Sequence, residues 1–381
     1  MTNNIIYVGI DAHKSHFNLC FFNPINETYF NEVEIKSETS SIIQQIDKVK
    51  EIKEYKNFKF ILAYEAGSLG YSLYRSLLNE NIECVIMAPT TMSKSLKDEH
   101  NKYDKRDART IAKCLFSGTY SPVYVPSKDD EALRDYIRCR DDIKNNLKRI
   151  KQELLAFILR KGFIYTETKH KWTIVFMKWL NNLDIQEKVD KMVLEEYLIE
   201  YNRLTDKLLE MDAKIVEFST LDKYKDSVNK LICLKGIKEI TALAHIVEIG
   251  DFNRFRSAKA FNAFLGLTSR EHSSSTIRRL GHITKDGNTH LRRLLIEASQ
   301  TYSKKYNIQK SKSLKSRQYG QEPNIIAYAD KASLRLHKRY FHLISSGKPR
   351  NVAITAVARE LSSFIWGLMT NHTYQEVIHS K

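Results

Sequence analysis

The sequence has 381 residues, a formal net charge of +16 and a pI of about 9.4. Its hydrophobic content of 42% and charged content of 28% are close to globular averages, which excludes wholesale disorder. No apolar run approaches the roughly 18 residues that cross a bilayer, and no basic segment precedes the first apolar stretch. The five cysteines include no CxxC pair, which is typical of a reduced intracellular protein and not of a disulfide or zinc scaffold.

The net excess of positive charge lies in the C-terminal part of the chain. Residues 223–381 contain 28 Lys and Arg against 11 Asp and Glu, a net charge of +17, whereas residues 1–222 carry −1. Such segregation indicates a polyanionic partner, because each neutralised phosphate releases counterions. General solubility does not require segregated charge, and no basic amphipathic helix with an aromatic face indicates a membrane surface. We therefore expect a nucleic-acid partner and no membrane.

The first 125 residues predict a mixed α/β domain. Strands are predicted at 5–10, 16–22, 29–36, 58–64 and 82–89, with helices at 39–55 and 68–80. Three strands in a meander, followed by strand–helix–strand, is the order of a ribonuclease-H-like domain. The pattern by itself supports only a mixed sheet.

Two long helices follow, at residues 126–222. Their apolar residues are spaced by alternating threes and fours, which is typical of a coiled-coil seam. The helices could pack as an antiparallel pair, mediate dimerisation or lie on a core as ordinary helices. The seam residues are Ile143, Leu147, Ile150, Leu154 and Phe157 in the first helix, and Leu194, Tyr197, Tyr201, Leu204, Leu208, Met211, Ile215 and Phe218 in the second.

The basic part of the chain is predicted to be mainly helical. Residues 231–255 have the pattern of a helix-hairpin-helix, in which Gly236 would present backbone N–H groups to a phosphate. Lys238 replaces the usual second glycine of such a hairpin, and an ordinary helix–turn–helix pair is the alternative. A polar stretch at 303–321 is predicted to be a loop, and a last helix is expected after a turn at 347–351.

Four carboxylates of the N-terminal domain have positions expected of metal ligands. Asp11 follows the first predicted strand, and Glu65 follows the buried strand at 58–64. Asp104 and Asp107 are three residues apart in a helical pattern, which places them on one helix face. Carboxylates suit Mg²⁺ or Mn²⁺, and two such ions about 4 Å apart can stabilise both reacting oxygens of phosphodiester transfer. Each acid singly could instead cap a turn or a helix, so the hypothesis depends on all four.

A serine-rich stretch lies among basic residues at 264–299. A serine hydroxyl can attack a phosphodiester when cations stabilise the charge that develops at phosphorus. Spacing alone favours the alternative, a polar loop that holds a phosphate backbone, because no base is visibly paired with a serine. The candidate nucleophiles are Ser273, Ser274 and Ser275, and the candidate phosphate contacts are Arg278, Arg279, Lys285, Asn288, Arg292 and Arg293. Nearby histidines show no ligand spacing and are expected to be structural or to contact phosphate: His272, His282 and His290.

These motifs follow one another in the order of a known family. The N-terminal motifs are YVGIDAHKSHF, YEAGSLGYSL and KYDKRDARTIA, and the C-terminal motifs are FLGLTSREHSSS, GHITKDGNTHLRRLL and SGKPRNVAITAVAREL. Over almost its whole length the sequence resembles the DEDD-type insertion-sequence transposases of the IS110 group, which are relatives of the Piv-type site-specific invertases.

The resemblance implies an architecture and a set of site residues. It implies a RuvC-like, ribonuclease-H-like metal domain at 1–125, a helical coiled-coil spacer at 126–222 and a mainly α-helical serine transposase domain at 223–381. The nucleophile of the family falls best on Ser274, although Ser275 replaces the usual following glycine, so Ser273 and Ser275 remain alternatives. The acidic tetrad falls on Asp11, Glu65, Asp104 and Asp107.

The resemblance also implies partners. They are double-stranded DNA at the element ends and target, and a structured noncoding bridge RNA that pairs with both. A dimer or tetramer would bring the metal site of one subunit to the serine of another. We expect such a protein in a bacterial-type cytoplasm, associated with the nucleoid.

We therefore expect an RNA-guided DNA recombinase that moves its own element, using Ser274 and Mg²⁺ or Mn²⁺. A structure-selective nuclease of the Holliday-junction resolvase type is one alternative, since it needs the carboxylates and no serine. A site-specific invertase would use similar chemistry. A degenerate, non-catalytic regulator would bind nucleic acid without cutting it.

Overall fold

The computed structural model describes residues 4–89, 104–271, 280–304 and 309–372, and only the backbone of residues 104–106 and 280. The chain divides into two compact units, residues 1–125 (unit 1) and residues 126–381 (unit 2). Each unit has its own hydrophobic core.

Unit 1 contains a five-stranded mixed sheet in its described part. Its elements are β1 Ile5–Ala12, β2 His16–Asn23, β3 Thr28–Lys36, α1 Thr39–Glu51, β4 Lys59–Glu65, α2 Ser72–Asn79, β5 Glu83–Met87 and α3 Asp104–Ser117. The strand order is β3-β2-β1-β4-β5, with β1 antiparallel to β2 and parallel to β4. The expected mixed α/β sheet is confirmed.

The central strand β1 is covered differently on its two faces. Ile6 and Val8 are fully buried against the side chains of α1 and α2. Because side chains alternate along a strand, Gly9 and Asp11 point to the opposite face, which α3 covers. A Cβ atom at Gly9 would lie 1.9 Å from the carbonyl oxygen of Ala108 in α3. The missing side chain therefore allows the backbones of α3 and β1 to meet.

Unit 2 is mostly helical, as expected for the C-terminal part of the chain. A short antiparallel pair, β6 with β7, interrupts the helices. The elements are α4 Lys128–Arg160, α5 Ile174–Asn181, α6 Lys188–Ser219, α7 Asp222–Ile232, α8 Glu239–Ile249, α9 Ala258–Phe264, β6 Ser269–Glu271, β7 Leu280–Ile283, α10 Thr289–Ser299, α11 Lys312–Gln318, α12 Pro323–Ser345 and α13 Arg350–Met369.

The long helices α4 and α6 pack against each other within the chain. Arg140 of α4 contacts Asp212 of α6 at 2.6 Å, and Lys161, directly after the end of α4, contacts Asp190, earlier in α6, also at 2.6 Å. The pair is therefore antiparallel. The residues predicted as spacer and as basic domain both lie in unit 2, and the three-part division stays a prediction. The buried seam residues are Leu147, Leu154, Phe157, Leu194, Leu204, Met211 and Ile215.

Helix α13 lies in the core of unit 2. Among the described helices it is the one long and apolar enough to cross a membrane by length and composition. However, 61% of its apolar window is buried inside the protein, including Val357, Leu361 and Ile365, which are fully buried. We interpret α13 as a core helix.

The predicted loop at 303–321 is wrong in its second half, where α11 forms. The hydroxyl of Ser311 accepts a hydrogen bond from the N–H of Leu314 at 3.2 Å and caps this helix. Leu314 and Gln318 are buried, so a mostly polar segment is held by one packed face. Residues 305–308 lie outside the described part of the chain.

Replacing Gly9 with alanine should destabilise unit 1. The added methyl group must displace the backbone of α3, and overpacking of this kind costs about 1–3 kcal/mol. We expect a lower urea midpoint by circular dichroism. Gly67→Ala is the matched control, since a Cβ atom there would meet nothing nearer than 3.9 Å. Equal losses in the two variants would contradict the close approach of α3 and β1.

Candidate functional site

Asp11 and Glu65 lie side by side at one edge of the unit 1 sheet. Strands β1 and β4 are parallel, with Ile10 opposite Tyr64, so the next residues along the two strands are Asp11 and Glu65. Asp11 lies within β1, which extends to Ala12, and not beyond the strand end. Strand alternation directs both carboxylates to the face covered by α3, and both residues are partly buried.

Helix α3 brings its first turn towards the same edge. Ala108 lies over Gly9, whereas Phe116, two turns later, contacts the ring of Tyr7 with 5.5 Å between centroids. The helix therefore runs antiparallel to β1, and its N-terminal turn lies towards Asp11. That turn contains Asp104 and Asp107, one helical turn apart. Asp107 is exposed, and the side chain of Asp104 lies outside the described part.

The donor set at this edge suits a hard divalent cation. Carboxylate oxygens from two strands and one helix are the ligands that Mg²⁺ and Mn²⁺ prefer. Within the described side chains, no group of three or more His, Cys, Asp or Glu is close enough together to hold a metal ion. Asp11 and Glu65 thus provide an adjacent pair, and further ligands would have to come from the first turn of α3.

His13 is a neighbour of Asp11 that sequence reasoning missed. Its Nε2 atom lies 2.9 Å from Oδ2 of Asp11, and its ring stacks on His16 with 4.8 Å between centroids. A histidine N–H donated to a metal-ligating carboxylate orients that ligand. In the sequence, this contact could have been found from the position of His13, two residues after Asp11 in the tight turn between β1 and β2.

The serine-rich segment connects β6 to β7. Ser273, Ser274 and Ser275, together with Arg278 and Arg279, fall outside the described residues. The two flanking strands are described, and they pair antiparallel with Ser269 opposite Ile283. We call this pair the β6–β7 hairpin.

The base of the β6–β7 hairpin is closed by backbone contacts between residues 264–268 and 284–288, which we call the clasp. The N–H groups of Thr284, Lys285 and Asn288 donate to carbonyls of Thr268, Gly266 and Phe264 at 2.8, 3.2 and 3.2 Å. A Cβ atom at Gly287, whose φ is +82°, would lie 1.9 Å from the carbonyl oxygen of Phe264. A close approach of two backbones explains this glycine.

The basic and polar residues predicted to contact phosphate differ in their surroundings. Asn288 caps α10, since its Oδ1 accepts from the N–H of Leu291 at 2.9 Å. Arg292 donates through Nη1 to the carbonyl of Leu265 at 2.9 Å and so supports the clasp. Arg293 forms ion pairs within unit 2. Lys285 is exposed, and nucleic-acid contact by these residues stays a prediction.

The turn at Gly236 is packed against the end of α10. Gly236 has φ of +92°, and a Cβ atom there would lie 2.6 Å from the carbonyl oxygen of Ala298. The hydroxyl of Tyr302 donates to the carbonyl of Lys235 at 2.6 Å, and burial lowers the pKa of Lys235. Packing therefore explains this glycine, and its role as a phosphate-binding N–H donor stays a prediction. Lys238 is exposed at the start of α8.

These features define the class of protein. The mixed sheet, with carboxylates at one edge under a helix that carries two more, is consistent with the ribonuclease-H-like fold of the DEDD type, and the C-terminal part is mostly helical. Residues 8–163 match the profile of the DEDD transposases of the IS110 type. Residues 228–315 match the profile described as the transposase IS116/IS110/IS902 family.

Related proteins extend the similarity over most of the chain. The chain is 30% identical to the transposase for insertion sequence element IS1533 of Leptospira borgpetersenii, over 89% of this chain and 96% of that protein. It is 34% identical to the putative transposase y4qE of Sinorhizobium fredii, over 80% of this chain and 74% of that protein. It is 21% identical to the transposase for IS1111A of Coxiella burnetii, over 98% of this chain.

The chain belongs to the IS110/IS116/IS902 family of transposases. The family predicted from the order of the sequence motifs is confirmed. Enzymes of this kind cleave DNA and transfer its strands, so DNA is a partner of the chain.

Replacing Gly287 with alanine should open the clasp. The alanine would have to adopt the left-handed backbone conformation of Gly287, and its methyl group would collide with the carbonyl of Phe264. We expect a loss of more than about 2 kcal/mol in the free energy of unfolding. Thermal unfolding measures this loss. Gly281→Ala in β7 is the control, because its added Cβ atom would meet nothing nearer than 3.7 Å. An unchanged melting temperature for Gly287→Ala would refute the clasp.

Proposed function

We propose that this transposase excises and inserts its own insertion sequence by serine-based strand exchange at a divalent metal site. The observation that carries the proposal is the meeting of Asp11 and Glu65 at one sheet edge towards which the first turn of α3 is directed. In a protein that transfers DNA strands, hard oxygen donors in this arrangement suit a divalent cation, which would stabilise the negative charge that develops on the phosphodiester oxygens.

The residues proposed to hold Mg²⁺ or Mn²⁺ are Asp11, Glu65, Asp104 and Asp107. When bound, the metal would supply electrostatic stabilisation of the oxygens that attack and leave phosphorus. The chain positions its ligands through the register of β1 and β4 and through the contact of α3 with Gly9. His13 would orient the carboxylate of Asp11 through the contact of its Nε2 atom with Oδ2.

We propose Ser274 as the nucleophile, with Ser273 and Ser275 as alternatives. Its Oγ atom would form a bond to a DNA phosphorus while the bond from that phosphorus to one sugar oxygen breaks. The hydroxyl proton leaves Oγ, and the released sugar oxygen takes up a proton. Attack on the phosphoserine ester by a sugar hydroxyl of another strand then reverses both bond changes and frees the serine.

The partners proposed are DNA, a structured noncoding RNA and further copies of the chain. The net charge of +17 on residues 223–381 supports a polyanion as large as DNA and RNA together. Exposed Lys238 and Lys285 offer phosphate contacts, whereas Arg292 and Arg293 would act chiefly through the structure that they support. We place this reaction at the nucleoid of a bacterial-type cell.

Replacing Asp11 with asparagine should weaken metal binding without unfolding unit 1. Removing one anionic ligand should lower the affinity for Mn²⁺ at least about tenfold, as measured by titration calorimetry. Glu83→Gln is the matched control, because Glu83 begins β5 at the opposite end of the sheet and pairs with Lys59. Undiminished Mn²⁺ binding by the folded Asp11→Asn protein would overturn the proposed ligand set.

Trapping a covalent adduct tests the serine step. We expect denatured protein from cells that carry the flanking DNA to contain a nucleotide-bearing peptide with the phosphate on Ser274, and Ser274→Ala to abolish it. Digestion of RNA before DNA is added should prevent the adduct in purified protein. An adduct that still forms after RNA digestion would contradict only the guidance by RNA and not the serine nucleophile.

Metal-dependent cutting without an adduct would instead favour a structure-selective nuclease. Full strand transfer by Ser274→Ala, Ser273→Ala and Ser275→Ala proteins would reject the serine nucleophile and leave the metal site standing.

A further inference from the structure

A buried group of charged residues joins three helices of unit 2, away from the proposed metal site. We call Asp141 of α4, Glu248 of α8 and His290 of α10 the acid–histidine cluster. Their side chains are 11%, 2% and 13% exposed, respectively. Burial of two carboxylates removes them from water at a large cost in free energy, so well-placed partners are required.

The histidine lies between the two carboxylates. Its Nδ1 atom is 3.0 Å from Oε1 of Glu248, and its Nε2 atom is 2.8 Å from Oδ2 of Asp141. A neutral imidazole has one N–H donor and one acceptor nitrogen, whereas both carboxylates only accept. The geometry is therefore satisfied when both ring nitrogens carry protons, which makes His290 an imidazolium.

Other partners occupy the remaining carboxylate oxygens. Arg138 donates to both oxygens of Glu248 at 2.8 and 2.9 Å, and Asn288 donates to Oε2 at 2.8 Å. Asp141 accepts from Arg140 at 3.0 Å and also from Arg293. These arginines leave no place for a cation, and the acid–histidine cluster is thus a structural ion network rather than a metal site.

The charged groups around His290 favour its protonated form. Burial by itself would lower the pKa of His290, but the hydrogen bonds and charges of Asp141 and Glu248 outweigh it and raise the pKa above its usual 6.5. Burial would raise the pKa of both acids, but their partners reverse this, lowering that of Glu248 to about 2 and that of Asp141 well below its usual range. On α8, burial lowers the pKa of His245 to about 4, so this residue stays neutral.

Further charged groups complete the surroundings of the cluster. Arg140 also pairs with Asp212 of α6 through two contacts of 2.6 and 3.1 Å. Glu297 of α10 contacts Arg293 at 2.8 Å and Lys144 at 3.4 Å. Of the groups in the cluster, the imidazole of His290 is the one whose ordinary pKa lies close to neutral pH.

Asn288 links the cluster to the β6–β7 hairpin. Its side chain donates to Glu248 and caps α10, while its backbone N–H donates to the carbonyl of Phe264 in the clasp. His290 follows two residues later in the first turn of α10. The cluster therefore attaches α4 and α8 to the base of the hairpin.

We propose that protonated His290 is a positioning residue for strand transfer, which locks the start of α10 and the clasp onto α4 and α8. The proposal rests on the proposed function only in that the hairpin it positions carries Ser274. His290 touches neither metal nor substrate in this role and acts through Asn288 and the clasp.

Because His290 must be protonated, the stability of the contact that it makes should depend on pH. Its pKa in the folded protein lies above the unfolded value of 6.5, so its contribution to stability is complete below pH 6.5 and is lost as pH rises through the folded pKa. Above that value one ring nitrogen faces a carboxylate oxygen without a proton. The clasp should then loosen on the alkaline side.

Hydrogen–deuterium exchange of the full-length wild-type protein at pH 6.5 and pH 9 tests the lock without any substitution. After correction for intrinsic exchange, peptides covering residues 258–268 and 284–295 should lose protection at pH 9, whereas peptides of α12 should not. Equal protection at the two pH values would overturn the proposal.

The pH profile of strand transfer provides the second readout. We expect the wild-type rate to fall on the alkaline side, and His290→Gln to be slower by at least about tenfold near pH 7 with no alkaline limb. His342→Gln is the control, since His342 is exposed on α12. An alkaline limb that persists in His290→Gln would refute the role of His290. Because hydrogen–deuterium exchange requires no serine adduct, the failure of the Ser274 proposal would be distinguishable from the failure of this one.

Discussion

The close contact between α3 and β1 is the constraint on which the arrangement of unit 1 depends. Gly9 lets the backbone of α3 approach the central strand, and the parallel register of β1 with β4 places Asp11 beside Glu65 on the covered face. Backbone contacts and hydrogen-bond register are stiff, whereas exposed side chains are not. The positions of Asp11 and Glu65 therefore follow from the backbone register of the sheet.

In unit 2, the serine-rich segment connects two short strands, β6 and β7. Two strands of three and four residues cannot hold a loop by their own hydrogen bonds. The clasp and the acid–histidine cluster supply the missing support through backbone packing at Gly287 and through charges shared by three helices. This arrangement also explains why a partly buried segment contains three polar residues, Asn288, Arg292 and Arg293.

The strands before residue 90 could be predicted because each is a short, mostly apolar run, and the family could be predicted because several separate motifs occur in one order. The structure and the related proteins confirm the mixed sheet, the helical C-terminal part and the transposase family. The helix α11 was missed, since five of its seven residues are Lys, Ser or Arg and its packed face is only two residues wide. His290 was grouped with His272 and His282, because a ligand spacing along the chain was absent.

By itself, the sequence determined which residues can carry the chemistry, since carboxylates, serines and a basic segment are properties of composition and local spacing. The tertiary structure alone decided which of them meet. Asp11 and Glu65 are 54 positions apart and become neighbours through strand register, and Asp141 and His290 are 149 positions apart and meet through helix packing. Long-range contacts of this kind depend on how elements pack, and no local pattern records the partner of a single side chain.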